Sequence, residues 1–129
     1  IVGKWVATNL YSSMTGARVS VVFNSNNTAV FSNYFIDEAT GNIKGYTAKQ
    51  LSKYRILNNT ELELYEMIPY VNHESGTIYT TEDKLKELDM LANTQAYSYK
   101  FNLTKNQLTL TVQCPPNAYC TGAQTYTKQ

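Results

Sequence analysis

The chain has 129 residues, of which 43% are hydrophobic, 12% aromatic and 16% charged, and eleven Lys+Arg against ten Asp+Glu leave a net charge of +1. The length fits one domain over residues 1–129, and the charge offers no field to draw nucleic acid or an anionic membrane. A single histidine and two cysteines are too few soft ligands for a structural zinc site.

Period-two alternation runs through the chain, and Val, Ile, Thr, Tyr and Phe are abundant, which is the pattern of β-strands with two unlike faces. Gly3 to Tyr11 reads as the first strand, with Trp5, Ala7 and Tyr11 on one face, and Ser12 to Gly16 as a turn. Arg18 to Asn24 is the second strand and puts Val19, Val21 and Phe23 together. Asn24 to Asn27 forms a tight polar turn, because Asn tolerates a left-handed backbone and bonds its own chain. Thr28 to Ile36 returns as the hairpin partner, and Asp37 to Gly45 is a further turn region.

Tyr54 to Tyr65 holds two alternating runs around Asn58-Asn59-Thr60, a hairpin signature that recurs from Tyr99 to Leu110 around Asn102 to Asn106. Between these hairpins lies an irregular insertion, Met67 to Asn93, broken by Pro69 and Gly76. Thr77 to Thr80 is expected as a short strand, and Leu85, Leu88 and Leu91 form one stripe of a short helix. That helix either packs on the sheet surface or serves as a lid over a cavity.

Cys114 and Cys120 enclose Pro115-Pro116-Asn117-Ala118-Tyr119. A disulfide here would close a short ring worth about 2 kcal/mol and pin one hairpin end. Free thiols or a redox pair are the alternatives, although catalytic dithiols favour a C-x-x-C spacing. Ala123 to Lys128 is the last strand, with Tyr126 pointing inward. Eight to ten strands joined in order favour a closed antiparallel meander.

Ile1-Val2-Gly3-Lys4-Trp5 carries the Gly-x-Trp of the lipocalin and calycin barrels. With Val22 to Thr28, then Tyr54-x-Ile56 and Leu62-x-Leu64, the chain resembles the small lipocalin-like domains of exported bacterial proteins of the Bacteroidetes type. The resemblance implies an all-β, up-and-down antiparallel barrel in which Trp5 plugs the closed end. It departs at two points: the Met67 to Asn93 insertion has no counterpart in the family, and vertebrate-type lipocalins end on an arginine packed over the tryptophan, where here Lys128 stands, the only arginines being Arg18 and Arg55.

The start at Ile1, with no basic segment followed by an apolar run, is expected of a chain whose signal peptide has gone. No apolar run nears the ~20 residues that cross a bilayer. The expected setting is the periplasm, outer membrane or cell surface, as a monomeric lipoprotein with its lipid anchor upstream of Ile1.

Catalytic constellations are thin. His73 and Glu74 are adjacent, so in a strand they would face opposite ways, and no serine has the Gly-x-Ser-x-Gly context. Glu61 and Glu63 share a strand face but stand about 7 Å apart, beyond the roughly 5 Å of a retaining glycosidase pair. No catalytic residue, metal ligand or cofactor is assigned.

The aromatic side chains are the better clue. Trp5, Phe23, Tyr34, Tyr54, Tyr97, Tyr99 and Phe101 either fill a barrel core or line its mouth. In the second case Tyr34, Tyr54, Tyr97, Tyr99 and Phe101 are the candidate ligand contacts, and the ligand is a small apolar or amphipathic molecule. The expected function is a non-catalytic binding module. The alternatives are a protein-interaction or inhibitor domain acting through its loops, and a hydrolase, a class that fold alone never rules out.

Overall fold

The computed structural model describes residues 1–9, 12–88, 96–113 and 122–129. Its strands are β1 (Gly3–Thr8), β2 (Ala17–Phe23), β3 (Thr28–Ile36), β4 (Ile43–Ile56), β5 (Glu61–Val71), β6 (Lys86–Glu87), β7 (Tyr97–Leu103), β8 (Gln107–Val112) and β9 (Gln124–Lys128). Eight of them pair antiparallel in a ring, β1-β2-β3-β4-β5-β7-β8-β9, which closes where β9 returns to β1 through Trp5↔Lys128 and Val6↔Thr127. Closure removes the unpaired edges that an open sheet would offer for aggregation. The two-residue β6 stands outside the ring, paired to Tyr70 and Val71 of β5. The protein is therefore an all-β, closed, eight-stranded up-and-down barrel, consistent with the lipocalin-like expectation.

Alternation selects the interior. Gly3, Trp5 and Ala7 lie opposite Phe23, Val21 and Val19, and Phe23, Val21 and Val19 lie opposite Ala29, Phe31 and Asn33. A slip of one residue would turn every one of these side chains out to water, so the apolar face sets the register. Trp5, Val21, Phe23, Ala29, Tyr54, Leu62, Leu64, Leu108 and Tyr126 are buried in one core cluster. Phe23 meets the rings of Tyr54 and Phe31 edge-on, at 4.9 and 6.3 Å between centroids.

The closed end is built around Trp5. Its Nε1 donates to the Ile1 carbonyl at 2.8 Å, and the Lys128 ammonium sits 4.5 Å from its ring centroid. Lys128 Nζ also donates to the Val2 carbonyl at 2.9 Å. The lysine thus does what the expected arginine would do: it lays a cation over the indole. Gly3 makes room for it, because a Cβ at that position would come within 2.3 Å of Lys128 Nζ. The turns at this end follow the asparagine chemistry. Asn27 adopts φ 66°, and the Asn58 side-chain oxygen accepts from the Thr60 backbone at 2.9 Å.

Three register shifts interrupt the ladders of β4, and two of them, β-bulges, bear on which residues face inward. Leu51 pairs with Ile68 but Lys53 with Tyr65, so β5 carries an extra residue near Glu66, whose φ is +50°. Inward residues are therefore even-numbered at Leu62 and Leu64 and odd-numbered at Met67, Pro69 and Val71. The irregularity expected from Met67 onward is this change of phase, and the segment to Val71 is strand. Pro69 fits because its carbonyl accepts from Leu88, on the side away from β4; its missing N–H faces the same way, so the β4 ladder loses nothing and the unmade bond falls just past the end of the two-residue β6. The second bulge, between Asn33 and Tyr34, leaves Phe35 opposite Gly45. β4 begins at Ile43, within the region read as a turn.

Beyond Val71 the expected strand Thr77–Thr80 reduces to one bridge, Thr80 with Tyr46, through hydrogen bonds of 2.7 and 2.9 Å. The helical turn is a 3₁₀ turn at Glu82–Lys84; Leu85 is extended and buried, and the chain continues into β6. Leu85 and Leu88 therefore do not share a helical stripe. Leu91, Tyr11 and the Cys114–Cys120 ring lie outside the described residues.

Lys128→Met is expected to lower the unfolding free energy by about 0.5–2 kcal/mol in urea titrations, with Lys128→Arg keeping most of it. Gly16 has φ +84° and its Cβ would lie 2.4 Å from the Ile36 carbonyl oxygen, so Gly16→Ala should cost at least about 1–3 kcal/mol by the same measurement.

Candidate functional site

A cavity of about 430 Å³ occupies the barrel at the end opposite the Trp5 plug. It reaches Asn9, Val71, Val112 and Gly122, at or just beyond the ends of β1, β5, β8 and β9. Its apolar wall comes from Val19, Phe31, Ala48, Pro69, Val71 and Leu110. The β5 bulge turns Pro69 and Val71 into it, so the phase change that interrupts the alternation also shapes the site. Asn9, Asn33, Gln50, Tyr99 and Gln124 bring polar atoms to the same space. Concave, largely apolar and sparsely polar is the make-up of a small-molecule site, and the volume falls within the usual 300–1,000 Å³.

The segment after Val71 runs along the rim as a strap. Thr80 takes the place of β5 beside β4, and Tyr79 packs its ring 5.8 Å from Phe35 over Gly45. Any Cβ on Gly45 would come within 2.3 Å of the Tyr79 ring. Lys49 of β4 and Glu82 of the strap make an ion pair at 2.8 Å.

The five aromatic residues singled out as ligand contacts separate in space. Tyr99 borders the cavity. Phe101, two residues along the same face, packs against the core cluster below. Tyr97 shares their face but is 37% exposed and does not border the cavity. Tyr54 lies in the closed half, its hydroxyl donating to the Asn24 carbonyl at 2.9 Å. Tyr34 is buried on the outer face of the barrel, beside Ser20 and 5.8 Å from the Tyr46 ring. The polar cavity residues Asn33, Gln50 and Gln124 escape a reading based on aromatic content. The signal that finds them is their place at inward strand positions.

Burial pushes the Tyr99 phenol above its usual range, with the neighbouring Tyr97 adding to the effect. Burial likewise raises Tyr34, against a lowering hydrogen bond with Ser20, and raises Tyr54. Asp83 is held low by its hydrogen bonds with Thr81 and its own backbone. His73 is exposed, and Glu63 pairs with Arg55 at 3.3 Å. Among the described residues no group of three or more His, Cys, Asp or Glu side chains converges, and no helix is long and apolar enough to cross a membrane.

Comparison with known proteins adds no relative: no family model matches the chain, and neither does any curated protein or solved structure. The class is therefore defined by geometry, as a closed antiparallel eight-stranded barrel with a cavity in one half.

The raised phenols give the barrel an alkaline limit. Each folded pKa lies above the unfolded value of 10.0, so the stability it contributes is complete below pH 10 and is lost as pH rises through the folded value. Urea midpoints measured from pH 8 to 11 should fall more steeply for the parent protein than for Tyr99→Phe.

Proposed function

We propose that the chain is a non-catalytic binding module that holds a small hydrophobic or amphipathic molecule inside its barrel. The observation that carries this reading is the cavity of about 430 Å³ above a densely packed floor. A core built for stability alone would fill that space, because interiors pack to crystal-like density. The motif order shared with exported bacterial lipocalin-like domains supports placing the module outside the cytoplasm, as a monomer tethered from a point upstream of Ile1. Such a tether would join at the Trp5 end, where Ile1 accepts the indole hydrogen bond, and leave the cavity end facing away.

The test is native mass spectrometry of protein purified from its own source, beside Ala48→Leu and Val19→Phe variants that fill the cavity. The expected result is a co-purifying small molecule that the filled variants lose. Adding that molecule back at a hundredfold its Kd should stabilise the parent by about 2.7 kcal/mol and the filled variants by far less. Equal retention by parent and filled variants would place binding elsewhere on the molecule and defeat the proposal.

A further inference from the structure

Lys49 apart, the polar residues bordering the cavity among the described residues are uncharged, and they stand on facing walls. On one side Asn33 of β3 pairs with Ala48, which makes Gln50 of β4 its diagonal neighbour one step toward the closed end. On the other, Tyr99 of β7 and Gln124 of β9 flank β8, across the ring from β3 and β4. The Tyr99 hydroxyl and the Asn33 and Gln50 amides make no side-chain hydrogen bond among the described residues, yet none of these atoms is sealed from solvent. They are open donors and acceptors on residues that line the space. Lys49, the one charged residue bordering the cavity among the described residues, has its ammonium engaged by Glu82 at 2.8 Å.

Resting on the binding reading above, we infer that this cavity takes an uncharged ligand with hydrogen-bonding groups at both ends of an apolar body, and rejects carboxylates and ammonium ions of the same skeleton. An amide or phenol supplies a neutral partner for a hydroxyl or carbonyl, and two such contacts on facing walls orient the ligand across the barrel. An ionised end group would leave water without a counter-charge, a far larger penalty than a neutral hydrogen bond recovers. The volume equals that of about fourteen liquid waters, which leaves room for a fused two-ring body with its end groups.

Four compounds on one skeleton test this: naphthalene, naphthalene-2,6-diol, naphthalene-2,6-dicarboxylate and 2,6-bis(aminomethyl)naphthalene. Each is titrated by ligand-observed NMR at pH 7 against the parent, Gln50→Leu and the cavity-filled Ala48→Leu. The diol should bind at least about fivefold more tightly than naphthalene, and Gln50→Leu should remove most of that gain, bringing the two compounds close to equal binding. The two charged compounds should bind at least about a hundredfold more weakly than the diol. Equal binding of diol and naphthalene, both lost in Ala48→Leu, would overturn the two-ended polar recognition and leave the cavity reading standing. Dicarboxylate or diamine binding as tight as the diol would overturn the neutrality. Absence of binding by all four would overturn the inference and count against a ring-bearing ligand, whereas binding undiminished in Ala48→Leu would defeat the cavity reading itself.

Discussion

The return of β9 to β1 is the constraint on which the rest of this protein depends. Two register pairs close the ring, and one of them sets Lys128 beside Trp5, so closure and the plug are a single event. The lysine stem covers the indole while its ammonium reaches both the ring and the Val2 carbonyl. This contact spans a sequence separation of 126 residues between donor and acceptor. Gly3 is part of the same device, since its missing side chain is the space the ammonium occupies. A closed floor then allows the opposite end to stay hollow without the sheet opening.

What keeps that end hollow is a change of phase along the strands. Below the bulges, large side chains such as Phe23, Leu62 and Leu64 point inward and meet. Above them, the extra residue near Glu66 turns Pro69 and Val71 inward, and Ala48 and Val19 present short side chains. Small residues leave volume, and Asn33, Gln50, Tyr99 and Gln124 give that volume hydrogen-bonding character. The strap from Asn72 to Leu85 is held to the rim by backbone bonds at Thr80 and the Lys49–Glu82 pair, of which the exposed ion pair is worth at most about 1 kcal/mol. The backbone bridge, with Tyr79 seated over Gly45, is the firmer attachment.

Much of the architecture was legible in the residues. The strand from Thr28 to Ile36, the hairpins at Tyr54–Tyr65 and Tyr99–Leu110, and the final strand with Tyr126 inward all follow from alternation and asparagine turns. The site was far less legible. Of five aromatic candidates only Tyr99 borders the cavity, because aromatic content reports burial without reporting which half of the barrel, or which face, a ring occupies. Tyr34 shows this most sharply: it alternates with the inward Phe31 and Asn33, so it stands on the outer face beside Ser32, buried there against Ser20 and Tyr46.

By itself the sequence determined the class: low charge, two-faced strands, polar asparagine turns and a Gly-x-Trp opening lead to a sheet with one apolar face that must be enclosed. Those are local properties, written in periodicity and turn chemistry. Only the tertiary structure decided that the sheet closes through Lys128, that Pro69 lies within a strand, and that the interior is divided into a filled half and a hollow one. Each of these depends on residues far apart in the chain meeting at a particular register. A bulge of one residue shifts that register without leaving any mark in composition.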